Sequence, residues 1–119
     1  MYEIKVKSSF SAAHNLKKYR GKCELLHGHN WQVETVFSYN ALDKSGLAID
    51  FRKAKRLLRN VIEKLDHSYL NKIALLKNIN PTSENVAKFI YDQIKRRNKN
   101  LKSISVWENE NSCATYSGE

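Results

Sequence analysis

The stretch YEIKVKSSFSAAH, residues 2–14, constrains the fold more than any other. Tyr2, Ile4, Val6, Phe10 and Ala12 take even positions, while Glu3, Lys5, Lys7 and Ser9 take odd ones. Successive side chains point to opposite faces of a strand, so this period of two predicts a strand with one buried face. His14 continues the even, inward side. A second stretch, HNWQVETVFSYN (29–40), carries Trp31, Val33, Phe37 and Tyr39 on one face, and His27 and His29 share that parity. Two half-buried strands need a cover, and the middle of the chain supplies it.

Asp50 is placed to cap a helix in which Phe51, Ala54, Leu57, Leu58, Val61, Ile62 and Leu65 recur at i, i+3, i+4 and i+7, ending near Leu65. PTSEN, which contains the only proline, Pro81, opens a second helix. Thr82 or Ser83 caps it, Glu84 suits the dipole of its first turn, and Val86, Phe89, Ile90 and Ile94 form its apolar stripe. The intervening DHSYLNKIALLKNIN reads as irregular. LKSISVWE and SCATYS alternate as strands around the short loop NEN. The order is β-β-α-α-β-β, an α+β class with a four-stranded antiparallel sheet and two helices on one face. With 119 residues and no linker or repeat, a single domain over 1–119 is expected. Such a sheet has two open edges, which invite pairing between subunits.

Composition narrows the setting. No apolar run approaches the roughly 18–20 residues that span a bilayer. The first residues alternate in charge and do not resemble a signal peptide, so a cytoplasmic chain with free thiols is expected. Lys and Arg exceed Asp and Glu, 21 against 12, for a net charge of +9. That balance suits nucleic acid, a membrane surface or an anionic small substrate. Much of it sits in FRKAKRLLRN and QIKRRNKNLK, which also read as solvated helix faces.

The chemistry-bearing residues are few. CELLHGHNW (23–31) holds one of two cysteines and two of four histidines. His27 and His29, at i and i+2 on a strand, point the same way, at spacing that suits either a metal ion or two polar loop-edge residues. His14, brought alongside by a hairpin, would complete a three-histidine set, and zinc sites with three protein ligands keep a fourth position for water or substrate. Cys23 is open to three roles: a fourth ligand, a thiolate base or nucleophile lowered by nearby cations, or a buried inert thiol. Cys113, on a predicted strand, fits the inert role. Asp66 and His67, where the first helix stops, form either an orienting carboxylate–imidazole pair or a simple helix end. Glu108 continues the face of Ile104 and Val106, so it either recognises a ligand with adjacent N–H donors or is a solvated turn residue.

Taken in order, FSAAH (10–14), CELLHGHNW, DF (50–51), LDH (65–67), PTSEN (81–85) and VWE (106–108) resemble the 6-pyruvoyl-tetrahydropterin synthase / 6-carboxy-tetrahydropterin synthase family across nearly the whole chain. The nearest likeness is to its short bacterial queuosine-pathway branch. The resemblance implies a T-fold, in which three subunits close their sheets into a barrel and two such trimers stack as a homo-hexamer with sites between subunits. It implies Zn2+ on His14, His27 and His29, Cys23 as general base, Asp66 and His67 as the rest of a proton relay, and Glu108 as anchor of the pterin's amino-pyrimidine edge. Residues of PTSEN would reach a neighbour's site. Family members often have Thr after the anchoring Glu, where this chain has Asn109.

The implied reaction converts 7,8-dihydroneopterin triphosphate to 6-carboxy-5,6,7,8-tetrahydropterin, acetaldehyde and triphosphate. Lys17, Arg20 and Lys22 flank the cluster and are candidates for the triphosphate. The alternative within the same chemistry makes 6-pyruvoyl-tetrahydropterin. The alternative from another class is a non-catalytic basic module with a structural zinc, against which stands the lack of aromatic–basic interleaving found in RNA readers.

Overall fold

The computed structural model describes residues 1–17, 25–76 and 78–118. The alternating stretches form β1 (Tyr2–His14) and β2 (His27–Tyr39), an antiparallel pair in continuous register from Tyr2 opposite Tyr39 to His14 opposite His27. β2 thus begins two residues earlier than expected, at the first histidine. Inward parity holds along most of both strands: Val6, Phe10, Ala12 and His14 of β1 and Trp31, Val33 and Phe37 of β2 are buried, whereas Tyr2, at the open end, is exposed and Val36, of outward parity, is buried as well.

α1 (Phe51–Leu65) starts where Asp50 accepts the Arg52 N–H at 2.8 Å. Its buried stripe is Ala54, Leu58, Val61, Ile62 and Leu65. Phe51, expected on that stripe, is instead 61% exposed, one residue into the helix and short of the core. β3 (Ser68–Tyr69) and two single 3₁₀ turns, Leu70–Lys72 and Ala74–Leu76, occupy the segment expected to be irregular. α2 (Ser83–Lys95) is capped by Thr82, whose Oγ1 accepts the Asn85 N–H at 3.1 Å. That leaves the Ser83 hydroxyl available elsewhere. β4 (Leu101–Trp107) and β5 (Cys113–Ser117) close the order.

The sheet runs β3-β1-β2-β4-β5. β3 lies parallel to β1 through Ala12 opposite Ser68 and Ala13 opposite Tyr69, whereas the other pairs are antiparallel. The class is α+β as expected, but with five strands in a mixed sheet in place of four antiparallel ones. A two-residue strand is too short to show a period, and its pairing is long-range, so no local pattern announces it. α1 packs on β1, and α2 on β4 and β5, over one continuous core. Phe10 and Trp31 stack within it at 5.6 Å. Each such large buried apolar side chain is worth about 1.5–3 kcal/mol. Cys113 is exposed on the edge strand, not packed inside. Among the described residues no helix is long and apolar enough to cross a membrane.

Candidate active site

Three imidazoles finish the β1–β2 ladder on its helix-covered side. His14 ends β1 directly opposite His27, and His29 follows two residues along β2. Ring centroids stand 4.7 Å apart for His14–His27, 5.2 Å for His14–His29 and 4.7 Å for His27–His29. One nitrogen from each lies within 4.8 Å of the others. Trp31, the next inward residue, floors the cluster edge-on to His14 at 4.8 Å and His29 at 5.6 Å. Its Nε1–H donates to the Ala12 carbonyl at 3.2 Å, tying the two strands beneath the site.

The backbone sets the tautomers. His14 Nδ1 lies 2.7 Å from the Pro81 carbonyl oxygen, and His27 Nδ1 lies 2.9 Å from that of Leu25. A carbonyl only accepts, so both Nδ1 atoms carry a proton, and in the neutral ring Nε2 then holds the lone pair. This is the outer-shell arrangement of metal-ligating histidine. His14 Nε2 is buried without a hydrogen-bond partner among the described residues. An unsatisfied buried polar atom costs about 1–3 kcal/mol, which coordination would remove. The donor set therefore fits a metal ion, and the three histidines could hold one.

Glu108 lies just past β4 and keeps the inward parity of Ile104 and Val106. Its Oε1 accepts the Ser83 hydroxyl at 2.7 Å, and its Oε2 lies 3.6 Å from His29 Nε2. A side chain 30% exposed and doubly partnered is not a loose turn residue. Asn109 lines a neighbouring cleft of about 670 Å³ with Lys7, Gln32 and Trp107.

Asp66 and His67 form a second constellation, built on Ser11. The Ser11 N–H donates to Asp66 Oδ1 at 2.9 Å, and the His67 N–H donates to the Ser11 carbonyl at 2.6 Å. Asp66 Oδ2 lies 3.1 Å from His67 Nδ1. The Ser11 N–H holds the Asp66 carboxyl below the usual carboxylate range; burial opposes this and the neighbouring His67 adds to it. His67 has φ of 56°, a left-handed conformation uncommon outside glycine, and its side chain is 83% exposed. It borders a shallow cleft of about 400 Å³ lined by Ser11, Ala13, Gly28 and Asn30 of outward parity together with Ala12 and His29 of inward parity.

The structure thus brings His14, His27, His29 and Glu108 together and sets Asp66–His67 beside the other face of the ladder. Cys23, Arg20 and Lys22 lie outside the described residues. Lys17 is exposed, with its backbone hydrogen-bonded to the Asn80 side chain. Sequence reasoning missed Ser11, and it sent the residues of PTSEN to a neighbour's site, whereas Pro81 and Ser83 act within their own chain on His14 and Glu108. The lone proline was visible, but nothing local tied its carbonyl to His14.

A profile of the family described as 6-pyruvoyl tetrahydropterin synthase matches residues 3–119. The chain belongs to this family. It is 34% identical over 122 residues to the 6-carboxy-5,6,7,8-tetrahydropterin synthase of Synechocystis, covering 98% of this chain and 93% of that one. It is 38% identical over 105 residues to the dihydroneopterin monophosphate aldolase of Pyrococcus furiosus, covering 86% and 85%. Its fold superposes on the 6-pyruvoyl tetrahydropterin synthase of Caenorhabditis elegans with a TM-score of 0.87 at 26% identity, over 99% of this chain and 96% of that one. The T-fold expectation is met, with the small parallel strand as its addition.

Proposed function

We propose that this family member is a zinc-dependent lyase that converts 7,8-dihydroneopterin triphosphate and one water to 6-carboxy-5,6,7,8-tetrahydropterin, acetaldehyde and triphosphate, within queuosine biosynthesis. The observation that carries the metal part is the hydrogen-bond pattern: His14 and His27 each give Nδ1–H to a backbone carbonyl, which leaves Nε2 as the atom each ring can offer within the three-histidine cluster. A divalent ion there would act as a Lewis acid toward the side-chain hydroxyl oxygens of the substrate.

The chain's own residues supply the rest. Glu108, steadied by Ser83, accepts N–H bonds from the pterin's amino-pyrimidine edge. Cys23 takes the carbon-bound proton of the side chain, and Asp66 orients the His67 imidazole that relays it. Because Asp66–His67 lies beside the outward face, the reading has one subunit's relay serve a neighbour's metal in a homo-hexamer. The net charge of +9 favours a polyanionic substrate. A cytoplasmic location and a single domain over 1–119 belong to the same proposal.

The likeness to the Pyrococcus furiosus protein supports a second reading, an aldolase. Cleavage of the bond between the first two side-chain carbons would release a two-carbon aldehyde that keeps its phosphate. Zinc-loaded protein incubated with dihydroneopterin triphosphate, and separately with the monophosphate, separates the readings. Acetaldehyde and triphosphate in equal amounts support the first. Triphosphate without acetaldehyde points to the 6-pyruvoyl product, and a phosphorylated two-carbon aldehyde to the aldolase.

A further inference from the structure

Two asparagine side chains hold the chain as it leaves β1. The Lys17 N–H donates to Asn80 Oδ1 at 2.8 Å, and Asn80 Nδ2 donates to the Lys17 carbonyl at 3.2 Å. Asn71 treats Asn15 the same way, accepting its N–H at 3.0 Å and donating to its carbonyl at 2.9 Å. Each amide pairs with the N–H and C=O of one residue, as a neighbouring strand would. Asn80 differs in its other connections. Its own carbonyl accepts the Thr82 N–H at 2.8 Å and Asn85 Nδ2 at 2.8 Å, fixing it to the first turn of α2. Between these anchors stands Pro81, whose carbonyl takes the Nδ1–H of His14.

We propose that Asn80 is a positioning residue for the metal centre: by clamping Lys17 to the start of α2, it fixes the Pro81 carbonyl on His14 Nδ1 and so sets the tautomer and aim of Nε2. The proline ring fixes φ at Pro81, so the carbonyl is steered mainly by the residues on either side. Of those two, among the described residues only Asn80 has a side chain bonded to the segment that follows His14, at Lys17. Without the amide, the turn keeps its cap at Thr82 but loses its tie to residue 17. His14 is then no longer confined to the Nδ1–H form. The inference rests on His14 being a metal ligand, yet the tautomer can be read without metal.

The test uses Asn80→Ala and Asn71→Ala in the full chain. Nitrogen NMR of the metal-free protein reports the His14 tautomer, and chelator competition reports zinc affinity. Asn80→Ala is expected to mix the tautomers and weaken zinc about 10-fold, at the low end for outer-shell losses. Asn71→Ala is expected to leave both unchanged. If Asn80→Ala does not fold, Asn80→Asp keeps the acceptor for Lys17 N–H, loses the donor, and is expected to show part of the same shift. A wild-type tautomer in the Asn80 variant, or an equal effect from Asn71→Ala, overturns the proposal. Wild-type protein that takes up no zinc would sink the proposed function, while the tautomer comparison still decides the role of Asn80.

Discussion

The four histidines fall into two regions with opposite physical settings. His14, His27 and His29 are held by strand register, with His14 only 1% exposed and the other two half-buried. His67 stands in solvent on a left-handed residue, gripped through its backbone by Ser11. The first set is ordered because the ladder places all three rings and a carbonyl orients those of His14 and His27, which is what an ion needs from its ligands. The second is strained in backbone but open in side chain, which suits a group that must meet a partner molecule. One residue type does both because neighbours, not identity, decide which nitrogen is available.

The sharpest way to break that contrast is to delete one histidine from each region. His29→Ala should lower zinc affinity by about 100-fold or more, beyond the range of outer-shell losses, whereas His67→Ala should leave metal content unchanged by mass spectrometry. Cys23→Ala should cut turnover by about 10²–10⁴-fold with zinc retained, as removal of a general base does. Zinc lost together with fold would instead make Cys23 a structural ligand. Trp31→Ala removes the floor of the rigid region and should cost about 3–5 kcal/mol in urea denaturation. Asp66→Asn probes the open region through pH. The folded carboxyl titrates below its ordinary value of 3.8, so its contribution is full above that value and is lost as pH falls through the lower folded value. Wild type should therefore exceed Asp66→Asn in stability at pH 6, with the gap closing below pH 3.8. The smallest effect is expected at the strained backbone. His67→Gly should gain up to about 1 kcal/mol of stability while losing turnover.

The rigid region was legible because strand parity is a local code. The even positions of residues 2–14 and the odd ones of β2 place three histidines on one side. The helix caps at Asp50 and Thr82 were readable for the same reason. The open region was not, because it depends on single long-range bonds. Nothing in SFSAAH marks Ser11 as the seat of Asp66 and His67. Nothing in NKIALLKNIN marks Asn71 and Asn80 as stand-ins for strand partners. Glu108 lay between: its parity suggested an inward carboxylate, but only packing joined it to Ser83 and His29.

The unbroken ladder from Tyr2–Tyr39 to His14–His27 has a consequence for how this protein can vary. Substitutions along the exposed side of either strand leave the count intact. A single insertion or deletion within β2 does not: a one-step slip exchanges inside for outside and carries His27 and His29 away from His14 together. The centre is therefore tolerant of spelling errors and intolerant of frame errors, and the length between Trp31 and Tyr39 carries as much information as the letters.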